Sequence, residues 1–153
     1  MALTVVAPLG GTVISLEEVP DEVFASRTMG PGLAILPDGD ATVIDVVAPC
    51  AGTLAKVHPH AVALEVGATG ILVHLGIDTV TQHGKGFELL VKDGQVVAAG
   101  DLLMRWDVRV SREAGHAVES PVVVFEMRDI TVTELAVIGE PIAAGAPLLL
   151  LAD

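Results

Sequence analysis

One pattern occurs twice in this chain, and it limits the fold more than any other feature. Val5-Val6-Ala7-Pro8-Leu9-Gly10-Gly11-Thr12-Val13 returns as Val46-Val47-Ala48-Pro49-Cys50-Ala51-Gly52-Thr53-Leu54. Each copy reads as a strand, a proline-led turn, a glycine that permits positive φ, and a second strand. A second pair, Val97-Ala98-Ala99-Gly100-Asp101-Leu102-Leu103 and Ile142-Ala143-Ala144-Gly145-Ala146-Pro147-Leu148, is also alike. The two pairs read as halves of a duplicated β architecture.

The remaining punctuation agrees. Apolar residues make up 52% of the 153 positions but aromatics only 3%, so the core must be built from Val, Leu, Ile and Ala. With 16 Gly and 9 Pro, that palette favours many short strands over long helices. Strands are expected near 4–7, 11–16, 33–36, 42–48, 52–57, 61–66, 70–75, 88–91, 102–106, 121–127, 130–137 and 147–151. The expected class is all-β: an antiparallel β-sandwich in a single domain over 1–153, with one or two short helical turns. One turn is expected over 77–81 with Asp78 as its cap, and another over 107–114 ended by Gly115. Residues 18–32 read as an irregular surface segment. Its apolar residues exceed what a plain loop needs, which marks a docking site.

Mean hydropathy is +0.66, high enough to raise the question of a membrane span. No run reaches the ~18 apolar residues a span requires, and the best candidate, Pro141 to Ala152, is broken by Gly145 and Pro147. The first residues, Met1-Ala2-Leu3-Thr4, lack the basic and apolar regions of a signal peptide. These features predict a cytoplasmic protein with no direct membrane insertion. The lone Cys50 permits no intrachain disulfide and reads as a small buried apolar residue. A net charge of −12 argues against nucleic acid and suits a basic protein partner.

The chemistry is expected in Ile71-Leu72-Val73-His74-Leu75-Gly76-Ile77-Asp78-Thr79-Val80, which puts one imidazole in an apolar run. His60 opens the preceding run, His60-Ala61-Val62-Ala63-Leu64. If the two runs form an antiparallel hairpin, both rings face one side, and such a pair suggests phosphoryl or metal chemistry. A histidine accepts a phosphoryl group through a neutral nitrogen, and the turn after His74 offers a carbonyl to Nδ1, leaving Nε2 as the nucleophile. His60 is then the donor that stabilises the added charge. His58, His83 and His116 read as surface residues, although His58 shares a face with His60 at i and i+2.

At this point the chain resembles the glucose-type IIA phosphocarrier domain of the bacterial phosphoenolpyruvate:sugar phosphotransferase system. The specific match is His74-Leu75-Gly76-Ile77-Asp78-Thr79-Val80. It is supported by Ala7-Pro8-Leu9-Gly10-Gly11, Val19-Pro20-Asp21-Glu22-Val23-Phe24-Ala25, Met29-Gly30-Pro31-Gly32, Ala48-Pro49-Cys50-Ala51-Gly52 and Gly84-Lys85-Gly86-Phe87. The resemblance implies a duplicated hybrid-motif sandwich. It implies that phospho-HPr phosphorylates His74 on Nε2, that His60 supports the phosphoryl group, and that a IIB-domain cysteine receives it for sugar uptake. It further implies that Asp21 and Asp78 flank the site, that Val23, Phe24, Met29 and Leu72 belong to or lie near an apolar docking ring, and that the unphosphorylated form binds regulatory targets. His58 stands where many relatives carry a threonine bonded to the supporting histidine.

No cofactor is expected. Imidazole pairs bind zinc well, so His60 and His74 with a partner carboxylate form a candidate regulatory zinc site. The alternative activity is a lysostaphin-like zinc hydrolase, suggested by His58-Pro59-His60 and by His74 four residues before Asp78. Its motif order is reversed here. A biotinyl- or lipoyl-type carrier fits less well, because Lys56, Lys85 and Lys92 lack a hairpin-tip setting.

Overall fold

The computed structural model describes residues 2–125 and 129–153. In chain order the strands are β1 (Ala2–Val6), β2 (Gly11–Ile14), β3 (Gly32–Leu36), β4 (Val43–Val47), β5 (Gly52–His58), β6 (Ala61–Val66) and β7 (Thr69–His74). They continue as β8 (Phe87–Leu89), β9 (Val96–Val97), β10 (Leu102–Asp107), β11 (Ser120–Phe125), β12 (Thr131–Glu134), β13 (Pro141–Ile142) and β14 (Pro147–Ala152). Two short helices, α1 (Glu22–Ala25) and α2 (Val108–Glu113), and two 3-10 turns complete the described elements. Three sheets form, ordered β1-β14-β12, β4-β10-β8 and β13-β2-β3-β11-β7-β6-β5-β9. Their pairings are antiparallel.

The duplication read from the sequence is visible as paired hydrogen bonds. Val6 donates to the Pro49 carbonyl and Val47 to the Pro8 carbonyl, both at 2.8 Å. Ala7 donates to Ala146 and Ala48 to Asp101, again at 2.8 Å. The glycine turns close the same loops: Gly145 donates to Ala7 at 2.8 Å and Gly100 to Ala48 at 2.9 Å. Each strand-turn-strand copy is therefore clamped by the other copy and by one glycine turn. Those turns need φ of +89° at Gly145 and +88° at Gly100, which glycine reaches without strain.

The large sheet separates two apolar clusters, and strand parity assigns residues to them. Leu33, Ile35, Val62, Leu64, Ile71, Val73, Val122 and Val124 enter the main core. Ala34 and Val123 face the other way, into a smaller cluster with Ile14, Leu16, Val19, Phe24 and Ile77, against which Leu72 and Ala117 pack. Burial on both faces explains why these strands read as unbroken apolar runs rather than alternating ones.

Several expected boundaries shift for local reasons. The strand expected over 11–16 stops at Ile14, because Ser15 starts a 3-10 turn, Leu16–Glu18, by a reciprocal capping box with Glu18. The segment 18–32 is not wholly irregular surface: it holds α1, capped by Asp21 Oδ1 accepting from Val23 N–H at 2.9 Å, and Val19 and Phe24 are buried. Asp78 precedes the 3-10 turn Thr79–Gln82 but makes no side-chain cap bond. Its φ of +61° places it in the left-handed region, whereas a capping residue needs extended backbone. The strands expected over 88–91 and 130–137 are shorter, at Phe87–Leu89 and Thr131–Glu134. Residues 126–127 of the strand expected over 121–127 lie outside the described residues. The short β9 and β13 were not expected; they pair with β5 and β2 at the two margins of the large sheet. The helix over 107–114 forms as expected, with Asp107 Oδ1 accepting from Arg109 N–H at 3.1 Å and Gly115 at φ +82° after it.

Candidate functional site

The site lies on the smaller-cluster side of the large sheet, at the end of β7. Ile71 and Val73 point into the main core, so Leu72 and His74 must face the other side. On the neighbouring β6, Val62 and Leu64 take the core and leave the small Ala61 and Ala63 beside His74 and Leu72, their register partners. His60 sits in the two-residue turn between β5 and β6, and its carbonyl extends the ladder by accepting from Leu75 N–H at 2.8 Å.

The rings meet. His60 and His74 pack edge to face with centroids 5.2 Å apart and planes at 77°. His58 stacks on His60 at 5.6 Å and 28°. Phe24, brought over the sheet by α1, lies against His74 at 5.3 Å and 55°. His74 is thus held between an aromatic and an imidazole, half-buried.

Its tautomer is set by the backbone. His74 Nδ1–H donates to the Gly76 carbonyl at 2.7 Å, which leaves the Nε2 lone pair free. That carbonyl is fixed by a turn with several anchors. Gly76 N–H donates to Ser120 Oγ at 3.2 Å, and Ser120 Oγ–H donates to the Val118 carbonyl at 3.0 Å. Ile77 N–H donates to the Ala117 carbonyl at 2.9 Å, and the Thr79 hydroxyl donates to the Leu75 carbonyl at 2.7 Å. Gly76 has φ +72°, and a Cβ there would lie 2.8 Å from Thr79 Cγ2 and 2.9 Å from the Ala117 oxygen.

Electrostatics keep both rings neutral at pH 7. Burial lowers the His60 pKa to about 4, with the neighbouring His74 and His58 adding to the effect. Burial also lowers His74, opposed by its bond to the Gly76 carbonyl and by the charges of Asp21 and Asp78. A neutral imidazole with one nitrogen engaged and the other free is a nucleophile, and a second neutral imidazole at its edge can donate a proton bond to whatever the first acquires.

The structure brings most of the expected site residues together. His74, His60, His58, Gly76 and Phe24 are in direct contact or hydrogen-bonded, and Asp21 and Asp78 act on His74 through their charge. Val23 and Met29 are exposed, 46% and 39%, whereas Phe24 is buried and Leu72 half-buried. Phe24 therefore packs the floor of the site rather than its rim. Ser120 and Ala117 were not singled out from the sequence, and Thr79 and the 57%-exposed Val80 stood in the run after His74 without a role of their own. Ser120 lies 44 residues from the glycine it holds, a separation no local pattern signals. His83 is exposed, and His116, half-buried, pairs with the Thr81 hydroxyl at 3.2 Å. Among the described residues no three His, Cys, Asp or Glu side chains gather as a metal centre requires, and none of their helices is long and apolar enough to cross a membrane.

Comparison with known proteins fits this geometry. Residues 3–130 match the family model for the phosphoenolpyruvate-dependent sugar phosphotransferase system, EIIA 1. The glucose-specific EIIA component of Halalkalibacterium halodurans is 41% identical over 84% of this chain and 73% of its own. The N-acetylglucosamine-specific EIICBA component of Klebsiella pneumoniae is 38% identical over 95% of this chain, which spans only 22% of that longer protein. The solved glucose permease IIA from Mycoplasma capricolum superposes with a TM-score of 0.83 at 35% identity, covering 98% of this chain and 96% of its own. These matches give no support to the zinc-hydrolase alternative. With the family model spanning most of its length, the chain belongs to the EIIA 1 family of the phosphoenolpyruvate-dependent sugar phosphotransferase system, as a phosphotransferase component.

Proposed function

We propose that His74 is the residue phosphorylated, on Nε2, and that His60 supports the phosphoryl group it carries. The observation that supports this most is the fixed tautomer of His74 with the His60 ring 5.2 Å away at its edge. In the first step the Nε2 lone pair attacks the phosphorus of phosphohistidine on HPr. The new N–P bond forms as the donor N–P bond breaks, and that electron pair returns to the donor imidazole. In the second step a IIB-domain cysteine thiolate attacks the same phosphorus, and Nε2 recovers its pair. His60 donates an N–H to a phosphoryl oxygen in the carried state, which offsets charge without a metal. The apolar floor of Phe24, Ile77 and Leu72 limits water and so protects the labile bond.

Docking goes with the rim. Asp21 and Asp78 offer negative charge, and Val23, Met29 and Val80 offer exposed apolar contact, a surface suited to a basic partner with an apolar centre. We read residues 1–153 as one such IIA unit acting in the cytoplasm. Incubation with enzyme I, HPr and labelled phosphoenolpyruvate tests the assignment. His74→Ala is expected to take up no label; His60→Ala is expected to take it up and pass it to a IIB domain slowly. Label on the His74→Ala protein would refute the reading.

A further inference from the structure

His60 carries the burden of orienting a proton toward the phosphoryl group, yet among the described residues neither nitrogen of its ring has a hydrogen-bond partner. An imidazole turns readily about χ2, because that torsion has broad wells. Its orientation therefore rests on packing, and the aromatic neighbours that supply it are His74 from β7 and His58 from β5.

The placement of His58 is built into the strand. Leu54 and Val57 both face the main core, although they are an odd number of residues apart. A register shift between Leu54 and Lys56 makes this parity change, and it turns His58 outward onto the site's side. Pro59 then restricts His58 to extended backbone and starts the turn that carries His60. Ala61 is the register partner of both His58 and His74. Its methyl group leaves a slot between those two rings, and the His60 ring contacts both.

We propose that His58 is a positioning residue: its ring stacks on His60 and holds the His60 N–H toward the phosphoryl group on His74. This rests on the phosphoryl reading of the site. The groups that act on His60 by charge are His58 on β5 and His74 on β7; Asp21 and Asp78 act on His74 beyond it. His58 is exposed, so its replacement leaves the core intact.

The test compares His58→Ala, which removes the ring, with His58→Phe, which keeps an aromatic face but carries no proton. Both are measured at about pH 8, where imidazoles of ordinary pKa are neutral. In the unphosphorylated protein, NMR relaxation of the His60 ring is expected to show loss of order in His58→Ala and retained order in His58→Phe. Release of the phosphoryl group to a IIB domain is expected to slow roughly three- to tenfold in His58→Ala, the range an aromatic pair contributes, and to stay within about twofold in His58→Phe. Uptake onto His74 is expected to change less than about twofold in either, since the nucleophile keeps its own anchor. Unchanged ring order and release in His58→Ala overturns the proposal. So does a His58→Phe protein as disordered and slow as His58→Ala. The ring measurement needs no phosphate, so it decides the positioning role by itself. A wild-type protein with an ordered His60 and no phosphoryl transfer would overturn the reading of the site instead.

Discussion

Gly76→Ala is the substitution that best separates backbone strain from close packing. At φ +72° an L-residue costs about 1 kcal/mol relative to glycine. Its Cβ would lie 2.8 Å from Thr79 Cγ2, 2.9 Å from the Ala117 oxygen and 3.4 Å from Trp106 Cζ2. Neither of the two closest neighbours is free to retreat. The Thr79 side chain is tied to the Leu75 carbonyl, and the Ala117 carbonyl accepts from Ile77 N–H. Overpacking of that kind adds about 1–3 kcal/mol, so the total is about 2–4 kcal/mol. Gly94→Ala is the control: its φ is +85°, but no atom lies within 4 Å of the added Cβ, so strain alone applies, about 1 kcal/mol. Urea unfolding followed by the fluorescence of the buried Trp106 reads the difference. Ring 15N shifts of His74 read the second consequence, loss of the fixed tautomer as the Gly76 carbonyl is displaced. Equal midpoints for the two alanine variants, with the His74 tautomer unchanged, would show that this turn is not packed as described.

Protonation of His60 should couple to stability. Its folded pKa of about 4 lies below the ordinary 6.5, so the unfolded chain binds more protons between those values. The associated stability is complete above about pH 6.5 and is lost as pH falls toward 4. After allowance for the partial exposure of the ring this is about 1–2 kcal/mol. His60→Gln should flatten that part of the curve, and a wild-type-minus-variant difference independent of pH would contradict it. Ser120→Ala leaves the Gly76 N–H without its acceptor in a buried turn and should cost about 1–3 kcal/mol in urea unfolding; a cost near zero would mean that another group serves Gly76. Burial pushes the Cys50 thiol up to about 11, so a thiol reagent at neutral pH should label it only in denaturant. Rapid labelling of the folded protein would place Cys50 at the surface.

The two histidines were legible as neighbours because the apolar runs around them pair, but that pairing sets only Ala61 beside His74; His60 precedes β6, and the turn, not strand parity, brings its ring to the His74 side. The absolute side was not legible. Ile71, Leu72 and Val73 are all apolar, and a strand covered on both faces gives no alternation to show which residues meet the main core. The duplicated pattern was legible through its prolines and glycines, since the turns demand them. The strands β9 and β13, two residues each, are too short for any period to register. The aspartates show the limit most clearly. Both aspartates were expected to flank the site and Asp78 to cap the turn after His74 as well; the capping falls instead to Asp21, on α1, while Asp78, in left-handed backbone, makes no side-chain cap bond. Composition places an aspartate near a turn; only the backbone dihedral decides whether its carboxylate points back to an N–H or is left free.

That exchange bears on how the site works. By capping α1, Asp21 ties the charge beside His74 to the helix that buries it, because the same turn delivers Phe24 to the His74 ring. Burial lowers the His74 pKa while the bond to the Gly76 carbonyl, Asp21 and Asp78 oppose it; at His60 burial and the neighbouring imidazoles act in one direction. The consequence is a division of labour between chemically identical groups. In the proposed roles, the attacking ring, His74, has its tautomer fixed by a carbonyl and is favoured as a base by that bond and two carboxylates, while the donating ring, His60, is held neutral by burial and the imidazoles beside it. Environment, rather than residue type, sets the two rings apart: the Gly76 carbonyl and the charges of Asp21 and Asp78 act beside His74, and two imidazoles act beside His60.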